Sequence, residues 1–181
     1  MSWTLDPTHT SVSFSAKHLG VATVRGHFGG VNADLAIDDP ADPTTGRGTV
    51  TIDAASIDTG NEQRDGHLRS PDFLAVEQFP TITFAVKTIE PDGTDTFKVT
   101  GDLTIRDVTR EVGLRYEHGG AIVDPFGNEK TGGTLSGVIN RSDWGLKWNV
   151  PLGGGGWLVS EQVKLEIDGE LTKAKEEAVA A

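Results

Sequence analysis

The chain has no cysteine. That absence excludes disulfides, zinc–thiolate sites, a cysteine nucleophile and cysteine lipidation. Basic residues are few: 16 Lys and Arg stand against 27 Asp and Glu, a net charge of −11 over 181 residues. No nucleic-acid partner is expected, because phosphate binding needs clustered cations. The same balance weighs less heavily against an anionic membrane surface. No run approaches the ~18 apolar residues of a spanning helix, so no transmembrane segment is expected. The opening MSWTLDPTHTSVSF has neither a basic n-region nor an apolar h-region. It reads as lacking a signal peptide, which places the chain in the cytoplasm. The five histidines form no His-x-x-x-His or His-Glu-x-x-His pair, so neither a metal nor a cofactor is expected. Gly-x-Ser-x-Gly is missing too, and no Ser-His-Asp set is readable from spacing.

What is present is period-two alternation. In SVSFSAKH, Val12, Phe14, Ala16 and His18 share one face and Ser11, Ser13, Ser15 and Lys17 the other. From about Thr23 to Ile37 the apolar parity switches at Gly29–Gly30, where a bulge or bend would re-aim the strand. Further alternating runs carry Val50, Ile52 and Ala54; Ile82, Phe84 and Val86; Phe97, Val99, Leu103 and Ile105; Val112, Leu114 and Tyr116; and Val163, Leu165, Ile167 and Leu171. A weaker Gly-rich run spans Gly132 to Asn140. About eight strands with one apolar face each fit an all-β, antiparallel up-and-down barrel, whose interior side chains fill or one small ligand occupies. A β-sandwich fits the same pattern. Residues 1–172 read as one domain, and 173–181, rich in Ala and Glu, as a disordered tail.

One stretch breaks the alternation: TGNEQRDGHLRSPDFLAVEQFPTITF, Thr59–Phe84. Thr59-x-x-Glu62 reads as a capping box opening a short helix from about Gly60 to Leu68. Ser70-Pro71 reads as a second N-cap with proline at the first helical position, opening a second short turn through Phe73–Leu74. Leu68, Phe73, Leu74 and Phe79 would seat this insert on the sheet or over a barrel mouth. Capping and solvation account for its charges, against a direct chemical role for Arg64, Asp65 or His67.

This segment, with its Arg-Asp-x-His-Leu, Ser-x-Asp-Phe and Phe-Pro-x-Ile-x-Phe elements, resembles the signature of the YceI-like family. WTLDPTHTSVSFSAKHLGVATVRGHFGG is similar to the family's opening. GDLTIRDVTREVGL is similar to its central hairpin, with Asp107 where a glycine is usual, and GVINRSDWGL to its Asn-Arg-Ser segment. The matches run from Trp3 to about Leu171. The resemblance implies a lipocalin-like barrel with a helical insert. It also implies a pocket for long apolar molecules such as polyisoprenoids, isoprenoid quinone precursors or fatty-acid derivatives. Many members are exported; the export signal does not carry over here.

The expected ligand-binding residues are Phe14, His18, Val24, Phe28, His67, Phe73, Phe84, Val99, Leu103, Leu114, Trp144 and Leu165. Most are chosen by inward parity. His18 is read either as a core histidine or as a polar anchor for a lipid head group. Trp144, Trp148 and Trp157 are read either as a plug of core aromatics or as the wall of the entrance, beside a Gly-rich loop. Asn140, Arg141 and Asp143 would tie that loop to the insert. The expected function is sequestration or transport of one apolar lipid, such as a polyisoprenoid, with no catalytic residues. An enzyme acting on such a lipid is the rival and would need an inward His–carboxylate pair. A homodimer is left open.

Overall fold

The computed structural model describes residues 1–175. Eleven strands occur among them: β1 (Ser2–Leu5), β2 (Ser11–His18), β3 (Ala22–Phe28), β4 (Val31–Ala36), β5 (Arg47–Asp53), β6 (Ile57–Asp58), β7 (Thr81–Pro91), β8 (Thr96–Ile105), β9 (Val108–Val123), β10 (Glu129–Asn140) and β11 (Val159–Lys173). One α-helix, α1 (Glu62–Arg69), accompanies four short 3-10 turns. The final residues of the expected tail, 176–181, lie outside the described residues. Lys173 completes β11, and the Ala174 amide donates to the Ser2 carbonyl.

Hydrogen bonding runs β1-β4-β5-β7-β8-β9-β10-β11 and returns from β11 to β1, so eight antiparallel members close into a barrel. Closure leaves no edge along that ring. The remaining strands are continuations. β2, β3 and β6 extend β1, β4 and β5 past a kink each, and β2 follows β1 along β11. Eight barrel strands are thus written as eleven, and the sandwich is ruled out. Two of the kinks have local causes. Asp6 caps a 3-10 turn with Pro7 at its first position, and Asp53 caps another at Ala54–Ser56. The third falls at Gly29–Gly30, at the expected change of parity.

The first kink is pinned electrostatically. His9 Nδ1 lies 3.0 Å from Asp6 and 3.7 Å from Glu170 on β11. Ligand atoms of Asp6, His9 and Glu170 lie within 4.8 Å of one another. A cation is already there, because Lys130 Nζ bonds Glu170 and lies 3.6 Å from Asp6. Hydrogen bonding of the imidazole to the Asp6 carboxylate raises the His9 pKa, helped by the charges of Asp6 and Glu170. The contribution of His9 to stability is therefore complete below its unfolded pKa of about 6.5 and fades as pH climbs through the raised folded value. The His9 imidazole signals, followed by NMR titration, should show a midpoint above 6.5 that falls back toward it in Asp6→Asn.

The core is one-sided. Ile82, Phe84, Val99, Leu103, Ile105 and Leu114 form a buried wall on β7, β8 and β9, joined by Ile139, Trp144 and Leu146. Phe14, Phe28 and Leu165, on the β2–β3–β11 wall, pack against this cluster but stay half-buried.

Candidate functional site

A cavity of about 1160 Å3 runs along β2, β3 and β11 to the edge of β10. Its apolar lining includes Val12, Phe14, Ala16, Phe28 and Leu165. Register explains why these residues meet. Leu165 sits opposite Phe14, and Phe14 opposite Gly26; Ile167 sits opposite Val12, and Val12 opposite Phe28. Glycine is required at position 26, because a Cβ there would lie 2.5 Å from the Phe14 ring and 2.8 Å from Thr59. The Phe14 and Phe28 rings stand 5.6 Å apart, tilted at 47°.

The lining also takes Ser13, Ser15 and Lys17 from the opposite parity of β2, with Arg25 and His27 from β3. Successive residues of a strand point to opposite faces, so the space reaches both sides of the β2–β3 hairpin. The far edge of β3 permits this. Among the described residues it is paired only at His27 and Phe28, to the two-residue β6. The barrel is closed by β1 and β4 at one end and gapes beside β3 at the other.

The insert lies off the cavity lining, with Leu68, Leu74 and Val76 packed on the buried cluster, and its signature residues hold it together. Asn61 caps α1 by accepting from the Arg64 amide. The expected Thr59–Glu62 box does not form, because the Thr59 hydroxyl is engaged by Asp65. Asp65 is buried and accepts from both the amide (2.9 Å) and the hydroxyl of Thr59. Arg64 donates to the Thr59 hydroxyl at 2.7 Å and to its carbonyl at 2.9 Å. Arg69 donates to the Ala55 and Ile57 carbonyls at 2.8 Å each. Ser70 both terminates α1 and opens the short turn expected through Phe73–Leu74: its hydroxyl donates to the His67 carbonyl and accepts from the Asp72 amide at 3.3 Å, and the Phe73 amide donates back to the Ser70 carbonyl. Asp65→Asn puts an amide where two donors converge and should cost about 1–3 kcal/mol, read as a lower midpoint in urea titration.

His67 lies 2.9 Å from Asp72 and meets Trp148 edge-on at 4.6 Å and Phe73 at 5.1 Å. This aromatic contact, not Asn140 or Asp143, joins the insert to the loop between β10 and β11. Arg141 anchors that loop from beneath. Its side chain is 4% exposed and donates to the carbonyls of Leu146 (2.7 Å), Trp148 (2.9 Å) and Ser160 (2.9 Å).

Of the twelve expected ligand residues, the cavity gathers Phe14, Phe28 and Leu165. Phe84, Val99, Leu103 and Leu114 point inward, as parity required, but are buried in the packed wall opposite. Val24 is half-buried on the cavity strand and is not part of the lining. His67 and Phe73 form the aromatic cluster with Trp148. Two expectations are overturned. His18 is exposed, because β2 ends there and the chain turns back through Leu19–Val21, leaving no wall for an inward face to meet. Trp144 is neither rim nor lining: it is core, 2% exposed, with its indole donating to the Leu103 carbonyl at 3.0 Å. Inward parity also passed over Lys17 on β2 and Lys164 on β11, which stand beside the cavity with Arg25 of β3; the lateral register Lys164–Ser15–Arg25 brings two of these cations to one level.

Comparison with known proteins places this geometry. A YceI-like domain matches residues 3–171. A UPF0312 protein of Staphylococcus aureus (strain MSSA476) is 38% identical over 173 residues, covering 94% of this chain and 97% of that protein. A YceI protein of Campylobacter jejuni superposes with a TM-score of 0.74 at 32% identity, covering 88% of this chain and 90% of the other. A polyisoprenoid-binding domain from Saccharophagus degradans shares the fold, with a TM-score of 0.69 at 15% identity over 95% of this chain and 98% of the other.

Proposed function

This chain belongs to the YceI-like family, and from that membership we propose that it is a binding protein taking one long apolar chain, such as a polyisoprenoid, into the cavity along β2. The observation that carries this reading is the asymmetry of the barrel. One wall is packed solid, while the other presents Phe14, Phe28 and Leu165 half-buried to a space of about 1160 Å3. That exceeds the ~300–1,000 Å3 of ordinary small-molecule pockets. Each buried CH2 contributes about 0.8 kcal/mol, so affinity rises with the length of chain enclosed. The fold shared with a domain described as polyisoprenoid-binding agrees with it.

The residue pattern supports binding over turnover. The His–carboxylate pair of the insert, His67–Asp72, involves neither residue of the cavity lining. The reading is tested by native mass spectrometry of the protein purified from its own host, with organic extraction of what co-purifies. A bound isoprenoid or other long-chain lipid is the expected result. A ligand-free protein that also fails to take up added octaprenyl alcohol would overturn it.

A further inference from the structure

We propose that the β2–β3 hairpin tip and the Gly-rich loop before β11 form one docking surface for an anionic lipid bilayer, at the rim of the cavity. It rests on the lipid-binding reading for its purpose and on separate observations for its existence.

The first observation is exposed apolar surface on two touching loops. Val21 is 84% exposed, Trp157 59%, and Leu19 and Val150 are exposed as well. The loops are tied by backbone hydrogen bonds: the Leu19 amide donates to the Leu158 carbonyl at 2.9 Å, and the Leu158 amide to the Val150 carbonyl at 3.0 Å. Pro151 bridges Trp157 at the foot of the Gly153–Gly156 turn, and the indole stays exposed there. Leu19 adopts a left-handed φ of 56°, a conformation that costs a leucine about 1–2 kcal/mol. Amphipathic tryptophan beside bare aliphatic tips is the composition that partitions into a headgroup layer.

The second observation is charge. Residues 7–33 contain no Asp or Glu, and neither do residues 144–160, in a chain with 27 acidic side chains. The same segments carry Lys17, Arg25 and Lys147 with His18, and Lys164 lies one strand away, opposite Ser15. None of these four cations is within 4.0 Å of a carboxylate among the described residues, whereas Lys87, Lys130, Lys173 and Arg47 are paired. Glu161 and Glu166 are the acids nearest on β11; Glu161 faces Arg141 at 3.7 Å. The net charge of −11 does not forbid docking. Screening over about 8 Å at physiological ionic strength leaves a bilayer surface sensing chiefly the residues that meet it. The other exposed apolar tip, Ile122, Val123 and Phe126, is flanked by Asp124 and Glu129 and carries the wrong sign.

The third observation is continuity with the cavity. Lys17, Thr23 and Ser160 belong to its lining and stand at the foot of the two loops. A chain leaving a bilayer beneath Leu19 and Val21 would reach the cavity beside β2.

The full chain is sedimented with vesicles of phosphatidylcholine alone and of phosphatidylcholine with phosphatidylglycerol in equal parts. Binding is expected on the mixed vesicles, weakening as salt rises from about 0.05 M to about 0.5 M. The double variant Leu19→Ser/Val21→Ser should lose about tenfold or more in apparent affinity. Phe126→Ser, at the opposite end, should bind like wild type. Uptake of free farnesol, read by native mass spectrometry, should be unchanged in the double variant. Loss of vesicle binding with farnesol uptake intact supports the proposal. Wild type that binds vesicles through these loops yet takes up no farnesol keeps the docking surface and sinks the cavity reading instead. The proposal is overturned if wild type ignores the mixed vesicles, if Phe126→Ser loses as much as the double variant, or if ultracentrifugation shows a dimer that the double variant dissociates.

Discussion

Arg141→Met should lower the melting temperature by about 6–20 °C, because removing a buried cation whose Nε and Nη1 donate to three carbonyls should cost about 3–5 kcal/mol and each kcal/mol moves a domain of this size by about 2–4 °C. The guanidinium ties together three carbonyls that are distant in structure type: Leu146 and Trp148 in the loop, Ser160 at the start of β11. Methionine keeps the length and apolar character of the stem but leaves a buried acceptor, the Leu146 carbonyl, and two part-buried ones without their donor, and each unsatisfied buried group costs about 1–3 kcal/mol. Burial also pushes the Arg141 pKa below the ordinary arginine value, with Glu161 opposing, so the charge is held at some expense and is kept for its hydrogen bonds. Arg141→Lys separates charge from geometry. An ammonium lacks the planar fork that reaches acceptors on two sides, so lysine should recover only part of the loss. The Trp148 environment should change in step, seen in near-UV circular dichroism, since Trp148 is held against His67 and Phe73 by this loop. A methionine variant melting within about 2 °C of wild type would mean that the loop is held by something else.

The barrel was legible in the sequence because its signal is periodic. Val12–Phe14–Ala16 and Val163–Leu165–Ile167 alternate as they face, and Gly29–Gly30 marks the kink where parity changes. Two other kinks were not seen. Asp6-Pro7 and Asp53-Ala54 are short caps inside otherwise extended runs, and nothing in a two-residue period announces them. The helical insert was placed correctly, but its cap was not: Thr59-x-x-Glu62 and Asn61-x-x-Arg64 are equally available locally, and the buried Asp65 decides between them by claiming the Thr59 hydroxyl. The site was the least legible part. Phe14 and Phe84 have the same parity and similar neighbours, yet one lines the cavity and the other lies in the packed wall. Which wall packs is set by where the insert and the Trp144 loop close over the barrel, a property of the whole ring rather than of any strand. His18 failed for a related reason: alternation continues to the last residue of β2, which is still paired to Val159 and Ala22 but stands at the exposed end of the strand, where the chain turns back.

Ala16→Trp should abolish lipid binding while leaving the barrel folded. Ala16 lies on the inner parity of β2, opposite Val24 on β3 and Val163 on β11, and it lines the cavity at half burial. Its small side chain leaves room toward the space that Phe14 and Leu165 border. An indole placed there has no packed wall to push against, so the overpacking penalty of a dense core does not apply. It instead buries apolar surface in a void, and the melting temperature should hold or rise, as for other cavity-filling changes. The ligand bears the cost. Excluding only two CH2 groups of a bound chain removes about 1.6 kcal/mol, which is more than tenfold in Kd. A blocked channel excludes far more than two. Native mass spectrometry after incubation with octaprenyl alcohol should therefore show occupied wild type and empty variant, at matched circular dichroism and matched melting temperature. Leu103→Val, a trim in the packed wall opposite, gives the contrast: it should cost stability by the loss of buried methylene and leave occupancy near wild type. If the tryptophan variant stays fully occupied, the lipid does not run along β2 and the cavity reading is wrong; if it is empty but unfolded, the smaller Ala16→Leu decides, since leucine narrows the same space with less strain.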